Sequence, residues 1–305
     1  MVVLSLFDGI SVGQLAISQL LKTRERERIR YSYYASEIKK SAIEVTRKNF
    51  PDTIFLGDVT QIDFKKLPPV DLLIGGSPCR QLCVASKGRK GLEGKDSKLF
   101  YEYARALKET NPKYFFLENV PMPKKDYEII SEILGCYPIK INSKLVSAQL
   151  RNRLYWFNWG QKKHDLIGLP TCDIPQPEDR KITLQSILEH GYTNREKQIA
   201  LMRKSYLIYP SDPIKREVYV RKRMKNFPSP IVYKNPDCNI DRWRFHTQTE
   251  LERLQTLPDG YTSCINFKDA SDCIGDSWTL EVIKHIFSFL FDEIFQKNSN
   301  QDLQS

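Results

Sequence analysis

Apolar positions in the first 160 residues follow two alternating patterns. Short, mostly apolar runs at 2–6, 33–36, 54–56, 71–75 and 113–118 read as strands. Between them lie stretches with helical spacing. Residues 13–22 place Leu15, Ile17, Leu20 and Leu21 on one face, 38–48 forms a second such stretch, and 97–110 carries Leu99, Phe100, Tyr103, Ala106 and Leu107 behind a possible Ser97 cap. Two more strands are predicted at 137–141 and 154–159. Strands alternating with helices predict an α/β fold built on a doubly wound, mostly parallel sheet.

Past residue 159 the periodicity weakens and Pro, Tyr and basic residues accumulate. Three parts are therefore expected: a catalytic unit at 1–159, a smaller irregular domain at 160–245, and a segment at 246–305 that packs back on the first. Its stretch 279–295 has helical spacing, and the polar residues 296–305 are expected to fray.

Composition narrows the class. The chain has 305 residues, 41% hydrophobic and 28% charged, as in an ordinary globular protein. No apolar run approaches the roughly 20 residues that span a bilayer. No basic region precedes the apolar start of MVVLSLFDGIS, so no signal peptide and no membrane partner are expected. The seven cysteines are odd in number, scattered and without a Cys-x-x-Cys pair, which argues against a disulfide framework or a zinc module. Cys79 and Cys83 supply at most half of a metal site, and none is expected. The net charge is +10, and 17 Lys and Arg against 10 Asp and Glu fall within 160–246. Such a segment fits a polyanionic partner or a solvated basic face.

In open α/β sheets ligands bind beyond the carboxyl ends of the strands. The first strand runs into Phe7-Asp8-Gly9-Ile10-Ser11-Val12-Gly13, a turn that presents a helix N-terminus but lacks the Gly-x-Gly-x-x-Gly spacing. Glu37 follows the second strand, where a carboxylate can accept both hydroxyls of a ribose. Asp58 follows the third and can accept from an adenine amino group. Either acid alone is as readily a cap or a surface charge; together they favour an adenosine-containing cofactor. The fourth strand runs into Gly75-Gly76-Ser77-Pro78-Cys79. A cysteine on such a turn is open to packing, a disulfide, a metal or nucleophilic chemistry. Glu118 ends the fifth strand, and a Cys with a nearby Glu and no evident His is unlike a thiol protease.

Ser77-Pro78-Cys79, Glu118-Asn119-Val120 and Gln149-Leu150-Arg151-Asn152-Arg153, in this order behind Asp8-Gly9, resemble the DNA (cytosine-5)-methyltransferases. The resemblance continues through Glu250-Leu251-Glu252-Arg253-Leu254-Gln255 and Ile274-Gly275-Asp276-Ser277-Trp278. Phe7-Asp8-Gly9-Ile10, Ala35-Ser36-Glu37, Arg89-Lys90-Gly91-Leu92 and Ser277-Trp278 are most similar to the catalytic domains of animal de novo DNA methyltransferases. The length leaves no room for a chromatin-reading domain, so a stand-alone bacterial or phage enzyme in the cytoplasm is expected.

The resemblance implies methyl transfer from S-adenosylmethionine to C5 of a flipped-out cytosine in a short duplex DNA site, leaving S-adenosylhomocysteine. Cys79 would add to C6, making C5 nucleophilic. Glu118 would hold the exocyclic amine and N3. Arg153 would bind O2 and, with Arg151, support the cysteine loop or the DNA backbone. Phe7, Asp8, Gly9, Ile10, Glu37, Ile38, Asp58, Val59, Pro78, Ser277 and Trp278 would line the cofactor site. Arg80, Gln81, Arg221, Lys222, Arg223 and Lys225 would contact DNA. The stretch 80–95 would close over the flipped base. The protein is expected as a monomer or weak homodimer, with a cognate restriction endonuclease as a possible partner.

The sequence departs from the family pattern at Arg80, where Gln is frequent, at Cys83, where Ser is frequent, and at Asp276, where Asn is usual. None removes a core catalytic group. Two other functions stay in view. A tRNA cytosine-5 methyltransferase would share the cleft, but the Cys-Phe-Thr signature of that subfamily is missing. A catalytically silent DNA-binding relative would be expected to lose Cys79, Glu118 or Arg153, and all three are present.

Overall fold

The computed structural model describes residues 1–22, 29–78, 82, 91–94, 97–164, 168–201, 231–233 and 243–302. In chain order, β1 (Val2–Leu6), α1 (Val12–Leu21), β2 (Ser32–Ser36), α2 (Lys40–Asn49), β3 (Ile54–Phe55) and β4 (Leu72–Gly75) build the first half. Then come α3 (Phe100–Thr110), β5 (Tyr114–Asn119), α4 (Lys124–Leu134), β6 (Ile139–Asn142), β7 (Gln149–Leu150) and β8 (Asn152–Phe157). The strands β9 (Gln161–His164), β10 (Pro170–Asp173), β11 (Gln198–Ile199), β12 (Ile231–Tyr233) and β13 (Trp243–Phe245) are short. The helices α5 (Gln248–Leu254), α6 (Phe267–Asp276) and α7 (Leu280–Asp302) end the described chain.

Seven strands form one sheet in the order β3-β2-β1-β4-β5-β8-β6. Strands β1 to β5 run parallel. β8 runs antiparallel to both β5 and β6. The expected doubly wound sheet is thus present, and the strand order turns back between β1 and β4, which opens a crevice there. Leu72, Leu73 and Ile74 are fully buried and every residue of β5 is buried, as strands covered on both faces require.

Helix α1 sits unusually close to the sheet. A Cβ at Gly13 would come within 2.5 Å of Ile74 Cδ1 and 3.1 Å of Trp278 Cζ3, so glycine permits this approach. Helix α7 packs against α1 through a wide apolar face that includes Ile283, Ile286, Phe287, Leu290 and Phe291. Nearby, Tyr261 OH donates to Ile10 O at 2.7 Å.

Three local readings shift. Helix α4 was not predicted, because the half-buried Ile129 and the exposed Ile133 blur the stripe made by Ile130 and Leu134. A 3₁₀ turn at Ser97–Leu99 precedes α3, so the α-helix starts at Phe100 with Leu99, not Ser97, at its cap position. The strand expected at 154–159 is β8, which begins two residues earlier. Residues 168–201 supply Cys172, Ile174, Leu184, Ile187 and Leu201 to the same hydrophobic core as the sheet. β11 pairs with β7, and Tyr137 bridges Thr171.

Candidate active site at the carboxyl ends of the strands

The loop after β1 is tightly wound. Phe7, Gly9 and Ser11 have φ of 58°, 61° and 56°. For Phe7 this left-handed backbone is strained, a feature that concentrates at functional sites. Asp8 holds the loop from beneath. Its carboxylate accepts from Ser5 Oγ at 2.6 Å, from Tyr33 OH at 2.7 Å and from Ser11 Oγ. Burial pushes the Asp8 carboxyl up from 3.8 to about 6; the hydroxyls pull the other way, and the charge of Glu37 adds to the rise. Asp8 is thus committed to shaping the loop.

Glu37, after β2, spans to the β1 loop. Its Oε2 accepts from Gly9 N at 2.8 Å, and its Oε1 from Ile38 N and Lys39 N, each at 2.8 Å. Ile38 beside it is 71% exposed, an apolar surface suited to a planar ring. Asp58, after β3, caps the next turn through Oδ1, which accepts from Thr60 N and Thr60 Oγ1 at 2.9 Å. Its Oδ2 accepts no hydrogen bond among the described residues. Val59 is buried, and its carbonyl accepts from Arg105 Nη2 at 3.0 Å. A Cβ at Gly9 or Gly57 would meet no heavy atom within 4 Å. The edge over β1 to β3 therefore offers open space flanked by a carboxylate, an apolar side chain and a free acceptor oxygen. These are groups that fit the ribose and adenine of S-adenosylmethionine.

The edge over β4, β5 and β8 is built differently. Ser77 and Pro78 continue from β4; Cys79, Arg80 and Gln81 lie outside the described residues, as do Cys83, Arg221, Lys222, Arg223 and Lys225. Asn119 Nδ2 donates to Ser77 Oγ at 3.0 Å and to Ser77 O at 3.3 Å, tying the β4 turn to the end of β5. Glu118 is 9% exposed. Its Oε1 ion-pairs with Arg153 Nε at 2.9 Å, and its Oε2 accepts from Trp278 Nε1 at 3.0 Å. The antiparallel direction of β8 explains the first contact: Asn119 pairs with Leu154, so Arg153 falls beside the end of β5.

Arg151 is placed elsewhere. It is 3% exposed, and its Nη2 donates to Ser277 O at 2.8 Å and Gly275 O at 3.3 Å, while Nη1 donates to Leu201 O at 3.4 Å. That burial leaves no guanidinium face for a DNA backbone; Arg151 instead clamps the C-terminal segment behind the site. The Ser277 hydroxyl turns inward and donates to Ile274 O at 2.8 Å. Ile10 is likewise buried, with its carbonyl engaged by Tyr261. Gln255 was not singled out as a site residue, yet its Nε2 donates to Ile274 O at 3.0 Å and Ser277 O at 3.3 Å. Its motif was visible in the sequence; its partners, about 20 residues downstream, were not.

Asp276 is half exposed, and its Oδ2 lies 4.0 Å from Lys39 Nζ. Among the described residues no group of three or more His, Cys, Asp or Glu could hold a metal ion. Among the described residues Cys136, Cys172, Cys264 and Cys273 form no disulfide.

A sheet in the order β3-β2-β1-β4-β5-β8-β6 with one antiparallel strand near its edge, and a largely buried Glu–Arg pair where β5 and β8 meet, has the architecture of the S-adenosylmethionine-dependent methyltransferases. The family model described as C-5 cytosine-specific DNA methylase matches residues 1–292, and the chain belongs to that family. It is similar to the type II methyltransferase M.NlaIV of Neisseria lactamica, 30% identical over 218 residues, covering 66% of this chain and 45% of that protein. It is also similar to the orphan methyltransferase M.SPRI of Bacillus phage SPR, 40% identical over 121 residues, 39% of this chain and 26% of that protein. The match thus spans less than half the length of these relatives. The solved structure of the Entamoeba histolytica methyltransferase EhMeth shares the fold, with a TM-score of 0.65 at 18% identity over 96% of this chain and 98% of that one.

Proposed function

We propose that this chain methylates C5 of cytosine in a specific short sequence of duplex DNA. The observation that carries this reading is the Glu118 carboxylate, buried at the end of β5 between Arg153 and Trp278, beside the Ser77-Pro78 turn that leads to Cys79.

Cytosine C5 is too weakly nucleophilic to accept a methyl group directly. A Cys79 thiolate adding to C6 moves electron density to C5. Glu118 accepts from the exocyclic amine, whose hydrogens lie toward a carboxylate fixed on both sides. Arg153 has Nε on Glu118 and Nη1 on Asn152 O at 2.8 Å, and no hydrogen bond engages Nη2 among the described residues. Nη2 is the group we assign to O2 of the base. S-adenosylmethionine supplies an electrophilic methyl group when bound. Glu37 and Asp58 Oδ2 would hold its ribose and adenine, and Ile38, the β1 loop, Pro78 and Trp278 would line its site. Loss of the C5 proton and release of Cys79 complete the transfer.

A base inside a duplex is out of reach of this cleft, so it must be flipped. We assign DNA recognition to the basic segment 160–245, with Arg221, Lys222, Arg223 and Lys225 as its phosphate contacts, together with Arg80 and Gln81. No helix among the described residues is long and apolar enough to cross a membrane. We place the activity in the cytoplasm of a bacterial or phage-infected cell, with a cognate endonuclease as a possible partner.

Base-resolution cytosine-methylation sequencing tests this in a bacterial host that lacks its own cytosine-5 methylation. Methylation confined to one short motif, and lost in Cys79→Ala, is the expected result. Methylation of tRNA alone, or cofactor binding with no methylated DNA, would overturn it.

A further inference from the structure

As a wall of a cofactor pocket Trp278 needs only its ring. The structure gives its N–H a second task. Nε1 donates to Glu118 Oε2 at 3.0 Å, while Arg153 holds Oε1 at 2.9 Å. Among the described residues these are the two side chains that engage the carboxylate. The last torsion of a glutamate has a broad energy profile, so partners rather than intrinsic preference fix its plane.

The indole is itself held firmly. A Cβ at Gly76 would fall 2.9 Å from Trp278 Nε1 and 3.1 Å from Glu118 Oε2, and a Cβ at Gly13 would fall 3.1 Å from Trp278 Cζ3. Glycine at both positions lets the ring lie across the crevice from the first turn of α1 to the end of β4. Its edge meets the Phe116 ring at 5.3 Å between centroids and 78° between planes. Behind it, Arg151 and Gln255 bind the carbonyl of Ser277.

We propose that Trp278 is a positioning residue for Glu118, and that its indole links the methyl-donor pocket to the cytosine pocket. This rests on the reading of the cleft given under Proposed function. One end of the ring borders the first turn of α1 at Gly13, which follows the β1 loop assigned to the donor, and the N–H end sets the carboxylate assigned to the base. A donor lying against the ring steadies the indole, and the indole steadies the carboxylate. Displacement of a catalytic group by about 1 Å can cost about a hundredfold in rate, so this single N–H has leverage on turnover.

Trp278→Phe keeps an aromatic ring and deletes the donor. Affinity for S-adenosylhomocysteine, measured by calorimetry, is expected to stay within about threefold, while kcat at saturating cofactor and DNA falls about tenfold, as for loss of a hydrogen bond to a charged group. In a Glu118→Gln background Trp278→Phe should add little further loss, because the two residues act as a unit. Gly76→Ala, whose methyl presses on both Trp278 Nε1 and Glu118 Oε2 while the indole is retained, should reproduce the kcat loss if the Phe variant folds poorly. A readout independent of turnover is the indole N–H resonance of Trp278, assigned by its disappearance in Trp278→Phe. It should move on addition of S-adenosylhomocysteine and lose exchange protection in Glu118→Ala. Weakened cofactor binding with unchanged kcat, fully multiplicative losses in the double variant, or a resonance indifferent to Glu118 would overturn the proposal. If the wild-type protein methylates no DNA but the resonance responds as described, the functional reading fails and the coupling stands.

Discussion

Arg153 and Glu118 face each other at 2.9 Å across the junction of an antiparallel and a parallel strand, with both side chains largely shielded from water. A pair in that setting is costly to break from one side, because the remaining charge stays buried. Arg153→Ala is expected to lower stability by about 3 kcal/mol and to reduce methyl transfer by at least about a hundredfold. Urea unfolding and initial-rate measurements check the two effects separately. A near-normal rate in this variant would remove Arg153 from the base site.

Asn119 fastens the turn before Cys79 to the end of β5. Its amide nitrogen donates to Ser77 Oγ and Ser77 O, and its Oδ1 accepts from Val120 N at 2.8 Å. Asn119→Ala leaves buried groups unpaired and should cost about 1–3 kcal/mol in stability. The expected kinetic signature is a lower kcat with little change in S-adenosylhomocysteine affinity, since Glu37 and Asp58, the residues proposed to hold its ribose and adenine, follow other strands. Calorimetry beside steady-state kinetics would show it.

Gly13 sits in a helix, where alanine is ordinarily the better residue by about 1 kcal/mol. Here the added methyl would press on Ile74, Trp278 and Tyr33. Gly13→Ala is therefore expected to destabilise, by about 1–3 kcal/mol, and to weaken S-adenosylhomocysteine binding. A gain in melting temperature would show that α1 can retreat from the sheet at no cost.

Asp8 gives a pH dependence of defined sign. In the folded chain burial raises its carboxyl from 3.8 to about 6. Between those values the folded state binds more protons than the unfolded state, so stability falls as pH rises through that window. The slope should not exceed about 1.4 kcal/mol per pH unit. Asp8→Asn should abolish this component while keeping an acceptor for Ser5 and Tyr33. Denaturant titrations from pH 4 to 7 measure the difference.

Glu250 acts in the opposite sense. Burial opposes its ionisation, but Arg244, His246 and the N–H groups of Glu189 and Thr247 outweigh it and hold the carboxyl well below its usual 4.5. Its contribution is full above about pH 4.5 and is lost as pH falls below that value. Glu250→Gln strands the Arg244 guanidinium, which is only 12% exposed. A loss of about 3 kcal/mol at pH 7, with a flatter acid limb, is the expected outcome in urea unfolding at a series of pH values.

The strands β1, β4 and β5 were legible because each is a short, mostly apolar run buried on both faces, a pattern independent of its neighbours. Their parallel direction brings all their carboxyl ends to one edge. Chain order alone therefore placed Glu37, Asp58, Ser77-Pro78 and Glu118 at the same edge of the sheet, and family motifs suggested the chemistry proposed for them. Tertiary structure decided what each side chain does there. Asp8 turns under its loop because Ser5, Ser11 and Tyr33 surround it. Arg151 lies behind the site, although Arg153, two residues on, lies in it, because only packing shows which arginine meets the carbonyls of Gly275 and Ser277. The contact between Trp278 and Glu118 spans 160 residues of chain. Local propensity carries no information over that distance. It exists because α6, β4 and β5 meet at a crevice that Gly13 and Gly76 leave open.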